Sequence, residues 1–397
     1  MNGKVYTYRG FMIDSARHMQ TAEELKKIIE AMAYLGFNTF HWHLTDDQGW
    51  RFESKRYPLL NEKAAYRDYS DFGKTFDNNR YGGVYSQETM KEVVACCAER
   101  DIDVIPEFDI PGHTSALLHA FSHLSCDGQE VAVKTHQGIF KDVLCLAKEA
   151  AFETVTGILE EMMSVFPGKY IHIGGDETPH DRWKACPACQ QKMQALGITD
   201  FKEYQTQFMN RVIAFLEEHG RHAIVWNDIA GETLDKRAVI QYWKENDRSS
   251  IDFINSGGRA ILSPFTYYYL DYSYEITPLN RVYAFGPMLK GLSENGKSHI
   301  LGLEIPIWTE YVEDAETMQR LLFPRAVAAA YTATGRGGMT YAEFLSACTK
   351  EITALREMGV TLEDTSRWTQ SRLAMPKGWL QFVKQHYTLD YIKEALK

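Results

Sequence analysis

Short apolar runs alternate with amphipathic stretches along most of the chain, the rhythm of strand followed by helix. Residues 10–14 read as a short buried strand. Thr21 is placed to cap the helix behind it, with Glu23 and Glu24 in a first turn whose backbone N–H groups lack partners. Leu25, Ile28, Ile29, Met32 and Leu35 then recur at helical spacing, and Gly36 ends the run. A second strand is expected over 37–44, followed by a long polar loop and a helix near 87–100. Further strands are expected over 103–108, 170–173, 223–226, 239–243, 260–263 and 300–308. Eight buried strands, mostly separated by helices, predict an α/β fold, a (β/α)8 barrel. The helix between the sixth and seventh strands is short, and the stretch after the seventh has no clear helical period. The barrel is therefore expected to be irregular on that side. It should occupy residues 1–340, with 341–397 a C-terminal helical extension packed on it and Met375-Pro376-Lys377-Gly378 a break.

The length of 397 residues suits one barrel with insertions. A net charge of -10 argues against a general affinity for nucleic acid or an anionic membrane. The 22 Tyr, 20 Phe and 8 Trp suit a site that stacks on flat apolar faces. No apolar run is long enough to span a bilayer, and Met1-Asn2-Gly3-Lys4-Val5-Tyr6 lacks the apolar core of a signal peptide. A cytoplasmic protein is expected, the alternative being an exported one stripped of its signal. Seven Cys make no even disulfide framework. Cys186-Pro187-Ala188-Cys189 stands as a lone CxxC with no second ligand pair evident, so no metal site is expected. Structural or incidental thiols are favoured there over a local disulfide or metal clip.

Barrel enzymes work at the C-terminal ends of their strands, and polar residues collect there in this chain. Asp14, Arg17 and His18 follow the first strand; His43, Asp46, Asp47 and Trp50 the second; Glu107, Asp109 and His113 the third. Asp176 and Glu177 follow the fourth, and Trp226 and Trp243 end the fifth and sixth. Tyr269 and Asp271 lie near the seventh, and Trp308 and Glu310 end the eighth. Carboxylates and Arg hold hydroxyls, while indoles face the C–H side of a pyranose, so this rim describes a sugar site. Gly174-Gly175-Asp176-Glu177 is its sharpest feature. Two glycines permit a tight turn, and two neighbouring carboxyls push one pKa up, leaving one acid and one base.

Residues 9–18, 41–50, 106–113 and 172–177 resemble, in order, four signature segments of the family 20 β-N-acetylhexosaminidases. Gln241-Tyr242-Trp243, Tyr269-Leu270-Asp271 and Trp308-Thr309-Glu310 extend the resemblance, which covers roughly residues 5–360. It implies exo-acting removal of terminal β-linked GlcNAc or GalNAc by a retaining, substrate-assisted route, an exception to the two-carboxylate scheme. Glu177 resembles the general acid/base and Asp176 the residue that orients the 2-acetamido group. Arg17 resembles the grip on the 3- and 4-hydroxyls; Glu310 and Asp271 resemble acceptors for the 4- and 6-hydroxyls. Tyr269 would bond the acetamido oxygen, Trp226 and Trp243 would wall its methyl pocket, and Trp308 would stack under the ring. Asp46 and His113 resemble a polar pair supporting Glu177, with Asp109 bracing it. The glycan is the partner implied, and no cofactor is, because the substrate's own amide serves as nucleophile.

Many members of that family carry a small α/β domain before the barrel, for which residues 1–8 leave no room, so either a minimal variant or a chain that begins late is expected. A second copy would cover the surface so bared, which suggests a homodimer. His41 and His43 read as structural, and Asp14 and His18 as supports rather than substrate contacts. Trp368 and Trp379 read as ordinary packing. Alternatives are a lacto-N-biosidase-like or sulfated-GlcNAc-specific variant, a non-catalytic glycan-binding barrel, and a metal-dependent hydrolase using His41, His43, Asp46 and His113.

Overall fold

The computed structural model describes residues 5–72, 75–286, 289–371 and 373–386. Eight parallel strands close into a barrel: β1 Tyr8–Asp14, β2 Thr39–His43, β3 Asp103–Glu107, β4 Tyr170–His172, β5 His222–Trp226, β6 Val239–Tyr242, β7 Arg259–Leu262 and β8 Ile300–Ile307. Each strand pairs with its sequence neighbours, and β8 closes on β1 with Ile13 opposite Ile307. The expected strands are all present, within two residues at most ends. The outward positions Phe11, Ile13, Phe40 and Trp42 join the main core beneath the helices. Inside the barrel, Tyr8, Ile105, Ile224, Val239 and Ile261 form an apolar lower layer.

The first helix, α1 (Ala22–Leu35), begins at Thr21 in a full capping box with Glu24 and ends at Gly36 with φ 91°, as its sequence signals require. Next come α2 (Gln87–Ala98), α3 (Glu149–Val165) and α4 (Phe201–Glu218). The far side is irregular. A single 3-10 turn follows β5, α5 (Arg248–Asn255) is short, and only helical fragments lie between β7 and β8. Among the described residues no helix is long and apolar enough to cross a membrane.

The expected break at Met375-Pro376-Lys377-Gly378 is corrected: Ala374–His386 is one continuous helix, α6 here. Pro376 sits in its first turn, where a missing N–H costs no helical bond. Gly378 permits close contact, since a Cβ there would stand 2.8 Å from the Cβ of Glu275. The last eleven residues of the extension, 387–397, lie outside the described residues.

Candidate active site

Above the apolar layer the barrel interior is charged. Glu107 on β3 lies 3.1 Å from His41 Nε2 and 2.8 Å from His172 Nδ1, bonds His43 Nδ1, and accepts the indole N–H of Trp226 at 2.8 Å. His41 spans from Glu107 to Glu304 on β8, which also takes a bond from Gln241 at 2.7 Å. His43 continues the chain upward to Asp46 at 3.0 Å. All these groups are buried, so each charge is stable only because a partner of opposite sign touches it. The imidazoles of β2 are thus engaged with Glu107, Glu304 and Asp46 as a supporting floor.

Asp46 carries this floor to the rim. It meets Arg17 Nη2 at 2.8 Å and His113 Nδ1 at 3.2 Å, and Asp47 accepts from the same His113 nitrogen at 3.1 Å. Burial alone would lower the His113 pKa, but Asp46 and Asp47 hold it well above the usual value, which favours the charged ring. Its other nitrogen, Nε2, lies 3.9 Å from Asp176 and 3.8 Å from Glu177. Both His113 (φ 49°) and Glu177 (φ 41°) adopt left-handed backbone that residues with a Cβ rarely take. Such strain persists where the surroundings enforce it, typically at working sites.

The turn that presents the two carboxyls is built on glycine. Gly174 has φ 66°, and a Cβ there would fall 1.6 Å from Asp109 Oδ1. Asp109 in turn accepts the Gly175 N–H at 3.2 Å, which braces the turn from β3. Burial pushes the Asp176 carboxyl up to about 7 against the pull of His113, with Asp228 and Glu177 adding to the rise. Burial also raises Glu177, again opposed by His113 and aided by Asp228. Glu177 therefore holds its proton more tightly than an exposed carboxyl, as a general acid must.

These groups face a cavity of about 300 Å³. Of the predicted site residues, Arg17, Asp46, His113, Asp176, Glu177, Trp243, Tyr269, Asp271, Trp308 and Glu310 line it together. Trp226 does not. It is fully buried below Trp308, their ring centres 5.9 Å apart, with its N–H spent on Glu107, so its assignment to the cavity wall is corrected. Trp243 stacks on Tyr269 at 6.0 Å, and Tyr269 tilts against Trp308 at 6.3 Å, forming an aromatic wall. Arg17 lies over Trp308 and 3.7 Å from Glu310, its Nε bound to Gln48 at 2.7 Å. Burial raises Asp271 to about 8, with Glu310 contributing. Asp14 ties Arg17 to the Thr309 backbone, and His18 bonds the Thr309 carbonyl, both behind the cavity.

Three contributions escaped sequence reasoning. Asp228 accepts the Glu177 N–H at 3.2 Å, Trp243 Nε1 at 2.8 Å and Lys244 Nζ at 2.5 Å. An acid two residues beyond the end of β5 was a usable signal for it. Asp47, left unassigned in the sequence, fixes His113 and the Ser115 N–H. Third, further aromatic rings line the cavity: Phe265, Tyr272, Tyr311 and Phe382. Phe382 lies on α6, and Trp379 of that helix stacks on Phe265 at 6.1 Å. The extension thus reaches the cavity through Phe382, while Trp379 packs on Phe265.

Comparisons with known proteins bear on the family and the fold. The model for glycosyl hydrolase family 20, catalytic domain, matches residues 6–333. A β-hexosaminidase of Porphyromonas gingivalis is 36% identical over 337 residues, covering 82% of this chain and 42% of that protein. One from Vibrio furnissii is 34% identical, covering 82% and 56%. The chain thus spans about half the length of these curated relatives. The solved structure of a family 20 exo-β-N-acetylglucosaminidase from Vibrio harveyi, in complex with N-acetylglucosamine, superposes with a TM-score of 0.81. That pair is 30% identical, covering 92% of this chain and 60% of that one.

Proposed function

This chain belongs to glycosyl hydrolase family 20, and from that premise we propose that it is an exo-acting β-N-acetylhexosaminidase. Its substrate is a glycan ending in β-linked GlcNAc or GalNAc. The observation that carries the reading is the adjacency of Asp176 and Glu177 on one strand end, facing an aromatic wall across a small cavity. Neighbouring carboxyls cannot flank a sugar ring from opposite faces, as an acid and a separate nucleophile or base would. They can serve neighbouring atoms of one sugar.

In the first step Glu177 gives its proton to the glycosidic oxygen as the C1–O bond breaks. The acetamido carbonyl oxygen of the substrate forms a bond to C1 from the other side. Asp176 accepts the acetamido N–H and stabilises the positive charge that develops on the oxazolinium ring. In the second step Glu177, now ionised, takes a proton from water. The water oxygen bonds to C1, and the ring opens to restore the acetamido group with overall retention. Tyr269 supports the attacking oxygen, and Trp308 supports the pyranose face. Arg17 and Glu310 close the far side, which limits the cavity to a terminal sugar.

The test compares an aryl β-GlcNAc with an aryl β-glucoside, using wild type and Glu177→Gln. Only the N-acetyl sugar should be cleaved, and the variant should lose about 10²–10⁴-fold in kcat. Equal cleavage of both sugars by wild type would overturn the proposal, because glucose carries no internal nucleophile.

A further inference from the structure

Cys186 and Cys189 are not a lone pair. The fold brings Cys126 and Cys145, from the long segment after β3, to the same point. The sequence expectation that no second ligand pair exists is therefore corrected. We propose that these four cysteines bind one structural zinc ion, which staples the segment after β3 to the segment after β4.

The distances fit an ion better than any pairing of the thiols. The four sulfurs lie within 4.8 Å of one another, with Cys126–Cys189 at 3.9 Å and Cys145–Cys189 at 3.7 Å. A tetrahedron with Zn–S bonds of about 2.3 Å sets its sulfurs about 3.8 Å apart. A disulfide needs about 2.05 Å and would use only two of the four. All four are free cysteines. Thiols that merely fill a core have no reason to converge from three separate stretches of chain, whereas a soft divalent ion recruits such a donor set.

The surroundings suit thiolates. Cys186 holds the N-cap position of the ten-residue helix Pro187–Leu196 and Cys189 lies in its first turn, so both belong to the positive helix end. Cys126 and Cys145 follow the bridged residues Ser125 and Leu144, and the Cys145 N–H bonds the Leu124 carbonyl at 2.9 Å. Lys148 Nζ donates to the Ser125 carbonyl at 2.6 Å, which stands a cationic group beside Cys126. It offsets part of the negative charge of a zinc–tetrathiolate centre. The buried Tyr204 hydroxyl finds no hydrogen-bond partner of ordinary geometry among the described residues, yet lies against Cys189. A thiolate sulfur there would accept its proton, as outer partners of metal ligands do. Cys145, Cys186 and Cys189 are buried, which leaves no open coordination position and makes the ion structural rather than catalytic.

The staple joins the two loops that carry the chemistry. Leu144, next to Cys145, donates to the Pro111 carbonyl at 3.1 Å, two residues before His113. Trp183, between Glu177 and Cys186, donates to the Leu144 carbonyl at 2.8 Å. A bound ion would hold the His113 loop and the Asp176–Glu177 turn in one register.

The experiment measures metals in the purified, untagged chain by mass spectrometry, then repeats it after chelation and back-titration with zinc under reducing conditions. On the order of one zinc per chain is expected, with a lower melting temperature for the stripped protein. Cys189→Ser should lose the ion and Cys348→Ser should keep it. Should Cys189→Ser not fold, cobalt added to the stripped wild type gives the second readout, the absorption bands of a tetrahedral thiolate centre. Stripped wild type that takes up neither zinc nor cobalt, or a mass two hydrogens short from a disulfide among these residues, would overturn the proposal.

Discussion

His113 faces both carboxyls, and its removal tests the electrostatic account of the site. The ring nitrogen stands 3.9 Å from Asp176 and 3.8 Å from Glu177. At an effective dielectric near 20, charges about 4 Å apart interact by about 4 kcal/mol, or roughly three pKa units. Asp46 and Asp47, at 3.2 and 3.1 Å on the other side of the ring, cancel part of that field. A net effect of about one to two units remains. The sign is fixed: a cation favours ionised carboxylates, so its loss raises both pKa values. Asp176 begins at about 7. In His113→Gln it should rise by those one to two units, and its ionised fraction at neutral pH should fall from about half to about one to ten per cent. The expected loss in kcat/KM for an aryl N-acetyl-β-glucosaminide at neutral pH is therefore about 5- to 50-fold. Because Glu177 rises as well, the alkaline limb should move with the acid limb, and much of the rate should return at higher pH. The assay is the full pH profile of kcat/KM for both proteins. A profile scaled down without displacement would refute the reasoning and reduce His113 to a brace for its loop.

Two more predictions concern the floor and the aromatic lining of the cavity. Glu107 touches three imidazoles and an indole. Glu107→Gln should cost about 3–5 kcal/mol, the range for breaking a buried ion pair. At about 2.1 cal/mol/K per residue, a chain this long should melt roughly 4–6 °C lower, and an unchanged calorimetric transition would count against a charged floor. Phe382→Ala should raise KM for an N-acetylhexosamine disaccharide by about 2- to 10-fold, the value of one aromatic contact. A monosaccharide fluoride, which carries no second sugar, should be cleaved as before, and an equal loss on both substrates would place Phe382 in general packing instead.

What the sequence reveals and conceals has a physical pattern. Strands β1 to β8 are legible because each buries an outward row of apolar residues such as Phe11, Ile13, Phe40 and Trp42. Arg17, Asp46, Asp176 and Glu310 are legible because strand ends in a closed barrel must converge on one rim. Trp226 shows the limit of that rule. A strand end gives the height of a residue but not its direction, and this indole turns down to Glu107 rather than out to the cavity. Pro376 and Gly378 mislead for a related reason: proline breaks a helix only beyond its first turn, and glycine also marks close contact. The cysteines are the hardest case. Cys186 and Cys189 are local, but Cys126 and Cys145 reach them only because the segments after neighbouring strands β3 and β4 pack side by side. Barrel order therefore predicts what linear spacing cannot. In such a fold, donor residues far apart in sequence should be sought in the segments that follow adjacent strands, because those segments emerge at the same rim and meet first.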